Sequence, residues 1–555
     1  MNILDRAIAA ISPAAALKRE KSRWQLDAVR QFRNSGYDES GASHSKNSMK
    51  GWNASSKSPQ EDIDRNLYTL RQRSRSLMMS APIAVSAIKT NRTNIVGVGL
   101  KARPTVDRAV LGISEAEAKA WEDKARREFE LWAKSKHCDS TKINNFYEMQ
   151  QIACLSWLMN GDAVALIKYS DVESAFMPYG LRIHMIESDK VCNPYSSGSY
   201  VNLQQINPAN GNRIYNGVEI DRGGAVAAYH ICNTYPQSSL QAEKEWKRVE
   251  AFGKRTGFPN VLLIFESERA EQYRGVPYLA PVIESLKQLT RYSEAEIMAA
   301  VINGFFTVFI TTGKSTAEMP FTGVQDDDSG DTDDARNYGL GPGMINILAP
   351  GEDIKMADPA RPNTNFDAFT TSFAKYIGAA LEIPYELLLK QFGASYSASK
   401  AALEEAWKAF RMKREWLVND FCQPIYEMWL VEAIAKGRIK APGFYLDASI
   451  REAWSKCTWN GPSQGMLDPL KEINAATKRV GLGVSTRQKE TMEMNGGSFD
   501  DNAEQLLREA EKMGEISQLL KPSADPNGSG EPTGSGDGAE ERQESEGDRD
   551  GKNWN

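Results

Sequence analysis

The feature that most constrains the fold is a series of long amphipathic segments in the second half of the chain. The first, Leu279 to Asn303, spaces its apolar residues for a helix and would form a rod of about 37 Å. A second runs from Phe366 to Leu381, before Pro384. A third begins near Leu403 and passes Pro424, where we expect a kink. Isolated rods with one apolar face need partners, so the pattern predicts an assembly of several copies.

The stretches between the rods have a different character. A strand-rich excursion between the first two rods contains the acidic run "DDDSGDTDDAR". The second and third rods are separated by "KQFGASYSAS", from Lys390 to Ser399, which is small and polar and has little apolar surface to bury. Such a loop is typical either of an active site with an activated serine or of a surface that something slides past without reacting.

The first half of the chain combines helices with β-rich runs. A helix is predicted to begin at Glu61, and another covers Glu115 to Lys134 with Trp121, Phe129 and Trp132 as its buried residues. Alternating or β-branched runs predict four strands, "AVALIKY", "LRIHMIES", "AVAAYHICN" and "NVLLIFES". His184 and His230 lie in such strands. No nucleophile and acid accompany them, so packed histidines are the better interpretation.

Cysteine usage and charge limit the classes of function. The six cysteines are scattered without a C-x-x-C pair, which argues against a disulfide framework or a zinc site. Residues 1–103 hold 18 Lys or Arg against 8 Asp or Glu, whereas residues 522–555 hold 3 against 9. A nucleic-acid reader would usually show a net basic domain instead of this mosaic. If the protein meets DNA, we expect it not to grip DNA over most of its surface.

One uncharged segment has some features of a membrane span. Ile297 to Gly313 is shorter than the roughly 20 apolar residues that a span needs, and it contains Asn303 and Gly304. Its character changes midway from helix formers to the β-branched and aromatic run "FFTVFITT". A helix running into a strand is therefore the better prediction than a membrane-associated protein.

Two segments resemble a nucleotide-binding and a metal-binding motif, but neither has the residue spacing that the motif requires. Gly313-Lys314-Ser315 could end a phosphate-binding loop, but Val308 occupies the position of the required earlier glycine. In the acidic run, Gly330 falls at the fifth position of a calcium loop instead of the sixth, and no glutamate closes the loop. We therefore expect no cofactor and no metal.

A serine acyl-enzyme is the remaining chemical alternative. Ser397 and Lys400 match S-x-x-K, in which the lysine could activate the serine, but the S-D-N and K-T-G partners are missing. Ser397 or Ser399 could instead cap the helix that follows. The sequence thus predicts no enzyme.

Long segments of the chain resemble a known family, the lambda-type portal proteins of tailed bacteriophages. The resemblance runs from about "GWNASSKSPQEDIDRNLYTLRQRSRSL" to "DDNAEQLLREAEKM". It is densest in "YRGVPYLAPVIESLKQL", "YIGAALEIPYELLLKQFGASYSASKAALEEAW" and "CTWNGPSQGMLDPLKEINAA". The resemblance implies an α+β portal fold, with an α/β wing, a two-helix stem, a small β-rich clip, a long kinked helix and a helical C-terminal region. It also implies a ring of about twelve subunits.

The resemblance divides the chain into nine parts. They are an N-terminal arm, partly disordered (1–60), the wing (61–278), the first stem helix (279–303), the clip (304–362), the second stem helix (363–383), the tunnel loop (384–398), the long kinked helix (399–435), the C-terminal wing or crown region (436–521) and a disordered acidic tail (522–555).

The resemblance also implies a site and partners. The residues expected to face DNA in the channel are those of the tunnel loop, Lys390, Gln391, Ser395, Tyr396 and Ser397. Expected partners are further copies of the chain, the terminase large subunit, major capsid and scaffold proteins, head–tail joining or adaptor proteins, and double-stranded DNA passing without sequence preference. The expected location is the portal vertex of the virion, after assembly in the cytoplasm of the bacterial host.

Overall fold

A computed structural model of the chain describes residues 12–31, 46–52, 54–170, 177–194, 204–236, 238, 243–304, 308–312, 352–356, 366–392, 396–465 and 468–519. The acidic run at 326–334, most of the expected clip and the acidic tail lie outside these residues, as does Lys314. The expectations for these segments therefore stay predictions.

Most of the described chain is helical. The α-helices are α1 (Pro13–Gln31), α2 (Arg65–Ser80), α3 (Pro82–Ile95), α4 (Arg108–Leu111), α5 (Glu115–Ala133), α6 (Phe146–Asn160), α7 (Ile283–Gly304), α8 (Phe366–Ala380), α9 (Tyr385–Leu389), α10 (Tyr396–Leu417), α11 (Gln423–Ala435), α12 (Ala448–Ser455), α13 (Pro469–Gly481), α14 (Arg487–Asn495) and α15 (Phe499–Leu519). Single 3₁₀ turns cover Lys136–Cys138, Ser188–Lys190 and Ala280–Val282, and π-helical turns cover Gln60–Asp64 and Val418–Cys422.

The described strands form four antiparallel sheets. The strands are β1 (Lys101–Pro104), β2 (Asp162–Tyr169), β3 (Leu181–Ile186), β4 (Gln204–Ile206), β5 (Arg213–Tyr215), β6 (Val218–Ile220), β7 (Val226–Cys232), β8 (Trp246–Glu250), β9 (Val261–Phe265), β10 (Val308–Thr312), β11 (Glu352–Met356) and β12 (Cys457–Asn460). Their orders are β3-β2-β9, β4-β5-β6-β7-β8, β1-β12 and β10-β11. The mixture of helices and antiparallel sheets confirms the predicted α+β class.

Local sequence rules explain why the first-half helices begin where they do. At α5, Ser114 accepts from the backbone of Glu117, and the Glu117 carboxylate accepts from the backbone of Ser114. Asn145 and Glu148 form the same reciprocal cap at α6. The predicted helix from Glu115 is thus confirmed.

Burial follows the predicted pattern with one difference. Phe129 and Trp132 are fully buried, as the helical spacing predicts, whereas Trp121 is only half-buried. Trp121 lies against Trp454 of α12, with ring centroids 4.8 Å apart. The C-terminal region therefore packs on the wing, and its strand β12 pairs with β1.

The four predicted strands are confirmed as β2, β3, β7 and β9, and their histidines pack as expected. His230 Nε2 lies 2.9 Å from Glu219 Oε2, and that carboxylate is also bound by Arg248. His184 Nδ1 lies 3.0 Å from Lys168 Nζ. Strands β1, β4, β5, β6, β8 and β12 were not predicted, because most are only three to five residues long.

The rods are present, with changed boundaries. The first stem helix begins with a 3₁₀ turn, and its buried side includes Leu279, Val282, Leu286 and Leu289, as predicted. Helix α7 ends at Gly304 and strand β10 begins at Val308, both within the uncharged segment Ile297 to Gly313. Across the part of the chain described, no helix is both long and apolar enough to cross a membrane.

The long kinked helix begins earlier than expected and is disturbed just before its proline. It starts at Tyr396 instead of 399, because the helix-forming run "SASKAALEEAW" extends the first turn backwards. A π-helical turn, Val418–Cys422, precedes Pro424. Proline lacks the N–H that the preceding turn needs, so the helix is irregular where the sequence predicts a kink.

A buried charge network ties the first half together. The carboxylate of Asp162, at the start of β2, is completely buried between two arginines. Arg71 of α2 donates to both of its oxygens at 2.9 Å, and Arg274 donates to it at 2.7 Å. Arg71 also reaches Asp189, and Arg274 donates to the carbonyl of Ser188. Helix α2, strand β2 and the segment leading into the first stem helix thus meet at one carboxylate.

The electrostatics of Asp162 depend on these arginines. Burial by itself would raise the pKa of Asp162, but Arg274 and Arg71 hold this pKa below the ordinary value of 3.8. A carboxyl with a depressed folded-state pKa stabilises the fold above its unfolded-state pKa. We therefore expect this contribution to be present at neutral pH and lost as pH falls below about 3.8.

Arg274→Met should lower the free energy of unfolding by about 3–5 kcal/mol, because it leaves a buried carboxylate with one partner fewer. The matched control is Arg269→Met, since Arg269 pairs at 2.7 Å with Asp62 and both side chains are nearly half exposed. The control should lower the free energy of unfolding by about 1 kcal/mol or less. Chemical denaturation of both variants checks this, and equal losses would show that the buried network does not stabilise the fold.

Candidate DNA-channel site

The segment between the second stem helix and the kinked helix is more ordered than the sequence predicts. The expected tunnel loop, 384–398, contains the short helix α9 and the first turn of α10. Pro384 is the N-cap residue of α9, whereas α8 already ends at Ala380. Leu388 of α9 is buried in the main core, which explains why this turn folds. Within 384–398, the described non-helical residues are Pro384 and 390–392, and 393–395 lie outside the described residues.

Helix α3 of the wing holds the end of α9. Ser86 Oγ donates to the carbonyl of Leu388 at 2.6 Å. Lys390 adopts a left-handed conformation with φ 58° and ends α9. Its ammonium donates to Thr90 Oγ1 at 2.7 Å, and burial lowers its pKa. The Lys390 ammonium therefore has one of its donors turned back onto the wing.

The other predicted site residues lie in different places. Gln391 is exposed beside Lys390, and Ser395 lies outside the described residues. Tyr396 begins α10, and Ser397 is exposed in its first turn. Ser397 and Ser399 are thus inside the helix, so the expected capping role at the position before the helix does not fall to either of them. Sequence reasoning missed Phe392, an aromatic side chain that is 56% exposed.

The serine alternative gains no support from the contacts of Lys400. Its ammonium lies 3.7 Å from the Glu472 carboxylate of α13. A lysine that activates a serine has to accept its proton, and an ammonium paired with a carboxylate is poorly suited to this.

A buried lysine fixes the opposite end of the segment. Glu382 follows α8 in a left-handed turn with φ 54°. Lys413 of α10 is almost fully buried, and its ammonium lies 2.9 Å from the Glu382 carboxylate. The same ammonium lies 5.4 Å from the ring centre of Tyr278, whose hydroxyl donates to the carbonyl of Leu381. The entry to the first stem helix, the end of the second and the kinked helix therefore meet here.

These partners are far apart in the chain. Lys413 and Glu382 are separated by 31 residues, and Tyr278 and Leu381 by 103. No local pattern could have paired them, so sequence reasoning missed this junction.

Gly378 permits the chain to turn back closely. The backbone N–H of Ile383 donates to the Gly378 carbonyl at 3.0 Å. A Cβ at Gly378 would lie 2.4 Å from the carbonyl oxygen of Ile383, which is closer than real contacts allow. The turn after the second stem helix therefore requires a glycine at this position.

Basic residues outnumber acidic ones on the flanking helix, but most of the basic side chains are already engaged. Helix α10 carries five basic residues (Lys400, Lys408, Arg411, Lys413 and Arg414) and three acidic ones (Glu404, Glu405 and Glu415). Two of the basic residues are held internally, since Lys413 pairs with Glu382 and Arg414 donates to the carbonyls of Asn94, Ile95 and Pro462. Burial lowers the pKa of Arg414 to about 10. The segment thus offers few free cations to a polyanion.

Comparison with known proteins agrees with this arrangement of wing, stem helices and kinked helix. Residues 45–414 match the family model "Phage portal protein, lambda family". Portal protein B of Escherichia phage lambda is 23% identical over 494 residues, covering 86% of this chain and 89% of that protein. The portal protein of Escherichia phage N15 is 23% identical over 483 residues, covering 83% and 87%.

One solved structure shows a weaker similarity to the chain than these sequence relatives do. A chain in the neck of a native GTA particle, computed with C12 symmetry, has 12% identity and a TM-score of 0.36, covering 76% of this chain and 93% of its own. The sequence matches define a portal protein, which is a structural component of a phage. Because the family model spans most of the chain, the chain belongs to the lambda family of phage portal proteins.

Gly378→Ala should lower the free energy of unfolding by about 1–3 kcal/mol, because the new methyl group overlaps a carbonyl oxygen in a packed turn. Gly514→Ala is the matched control, since Gly514 is exposed within α15 and a Cβ there meets nothing within 4 Å. The control should be neutral or stabilising by up to about 1 kcal/mol. Thermal unfolding compares the two, and an unchanged or more stable Gly378→Ala protein would contradict the close approach.

Proposed function

We propose that the chain is one subunit of a closed ring of about twelve copies, which sits at one vertex of the phage head. Double-stranded DNA passes through the ring during packaging and ejection. Family membership supports this proposal, and one structural observation carries it: a single chain leaves much of its stem uncovered.

The two stem helices cover each other only in part. Tyr292 of α7 lies against Phe366 and Phe369 of α8, with ring centroids 5.7 and 4.7 Å apart. Farther along α7, Ile297, Met298 and Val301 are 63%, 58% and 45% exposed. Apolar side chains clustered on one rod need a further partner, and identical neighbours in a closed ring supply it.

A channel wall that lets DNA slide has to bind it weakly. Many Lys or Arg contacts to phosphates would give a strong, salt-dependent grip. The candidate residues Lys390, Gln391, Ser395, Tyr396 and Ser397 offer one cation and several hydroxyl or amide groups instead. The exposed ring of Phe392 adds apolar contact without charge. We propose that this segment is a compliant, sequence-independent collar on the DNA.

The remaining partners follow from the same role. The terminase large subunit supplies ATP-driven translocation and docks at the clip, 304–362, and head–tail joining or adaptor proteins bind there after packaging. Major capsid and scaffold proteins surround the ring. The ring assembles in the host cytoplasm and stays at the portal vertex of the virion. Val308, which lies in strand β10, is consistent with a portal that has no nucleotide site of its own.

Ile297→Asp combined with Val301→Asp should prevent ring formation, because each change loses about 1.5–3 kcal/mol of apolar burial at every subunit contact. Native mass spectrometry should show rings of about twelve copies for the unmodified protein and mainly monomers for this variant. Ile206→Asp is the control, since Ile206 is 60% exposed at an edge strand away from the stem. Monomers or dimers of the unmodified protein at all salt concentrations would refute the ring.

Deleting residues 391–395 should spare ring assembly and impair packaging or retention of the genome, because the collar is lost while the helices stay intact. Ser397→Ala should have little effect, since the proposed mechanism contains no nucleophile. A packaging assay with genome-length analysis checks both variants. Normal packaging by the shortened ring would refute the collar, and complete loss of function in Ser397→Ala would favour the acyl-enzyme alternative.

A further inference from the structure

The C-terminal helix α15 is fastened to its own subunit at one end. Arg126 of α5 binds the Asp501 carboxylate at 2.9 Å, and Arg103 of β1 donates to Ser498 Oγ at 2.8 Å and pairs with Asp500. Farther along the helix, the side-chain hydrogen bonds of the described residues run within α15, for example from Gln505 to Glu509 at 2.9 Å. The helix therefore projects from an anchored N-terminus.

The projecting part carries an uncovered apolar stripe. Leu506, Ala510 and Met513 follow one line along the helix, with Leu507 and Ile516 on its two flanks. Leu506, Leu507 and Met513 are 61%, 67% and 63% exposed. Most helical stability in proteins comes from packing of the apolar face, so an exposed stripe of this kind indicates packing against something else.

A second uncovered stripe lies on α13. Leu470 and Ile473 share one side of this helix and are 77% and 48% exposed. Lys471 and Lys478 lie on one flank of that stripe. Within one chain, therefore, two amphipathic helices of the same region both leave their apolar sides uncovered.

Charge indicates which surfaces fit together. Helix α15 contains six acidic and two basic residues, whereas α13 contains three basic and one acidic. Two of the α15 carboxylates are used in the anchor, and on α13 Arg479 is paired with Glu490 and Lys471 with Asp468. The exposed Lys478 would complement a helix on which Glu509, Glu511 and Glu515 outnumber Lys512, since Arg508 pairs with Glu504. Two copies of α15 would repel each other, and so would α15 and an anionic surface.

We propose that α15 of each subunit packs its apolar stripe on the Leu470–Ile473 stripe of α13 in the neighbouring copy. The inference rests on the proposed ring, since the ring supplies the neighbour. Each subunit then contributes one projecting helix and accepts one, so the contacts close head to tail around the ring. The anchor at Asp500 and Asp501 fixes the direction in which the helix leaves its own subunit.

Mixed rings test which helices meet. Subunits with light and heavy isotopes are combined, and a lysine-reactive cross-linker is applied to the assembled rings. We expect cross-links between Lys512 of one isotope and Lys478 or Lys471 of the other. Light-to-heavy cross-links from Lys512 to Lys512, or from Lys512 only to lysines outside α13, would overturn the pairing.

Substitutions test the contact itself. Met513→Asp and Ile473→Asp should each raise the protein concentration at half-assembly about tenfold, which corresponds to about 1.4 kcal/mol per contact. Because both changes break the same contact, the double variant should resemble the single ones, whereas independent surfaces would give additive losses of about a hundredfold. Additive losses, or no loss at all, would refute the proposal.

Leu446→Asp is the matched control, since Leu446 is 91% exposed and lies outside both helices. It should change the protein concentration at half-assembly by less than about twofold, because surface substitutions away from a contact have little effect on stability. Intact rings without the expected cross-links would reject this inference and leave the proposed ring standing. Unmodified protein that never assembles would reject both.

Discussion

The whole fold depends on a buried carboxylate that has to keep its two arginines. Asp162 starts the central strand β2, and Arg71 and Arg274 approach it from helix α2 and from the segment that leads into the first stem helix. Burying an ionised carboxylate away from water costs free energy unless oppositely charged partners stay in place. These three elements therefore have little freedom to move separately. The direction in which the stem leaves the wing is therefore set inside the wing.

A second set of contacts fixes the elements next to the candidate site. Lys413, Glu382 and Tyr278 join the kinked helix to the start of the first stem helix and the end of the second, while Ser86 and Thr90 bind the end of α9 to helix α3. The short segment that follows is thus supported by packed elements on each side. Packed elements therefore fix the position of this small polar segment.

Several basic side chains of the described residues are used in contacts inside the subunit. Arg71, Arg274 and Lys413 are buried in ion pairs, and Arg414 is used on backbone carbonyls. Apolar surface shows the opposite distribution, because the stem and the C-terminal helices leave large side chains uncovered. Among the described residues, several buried charges are thus paired within one subunit, while large apolar side chains stay exposed on it.

The sequence by itself determined the long helices, the four longer strands, the disturbance before Pro424 and the family, because periodicity, proline and long similar segments are local properties of the chain. It predicted a loop over 384–398, where the structure has the short helix α9, since the burial of Leu388 that folds α9 depends on the distant main core. Tertiary structure alone decided the Asp162 network, the Lys413 junction and the orientation of Lys390. The residues in these contacts are 31 to 300 positions apart in the chain. Local residue spacing cannot predict which side chains at such distances will pair in the fold.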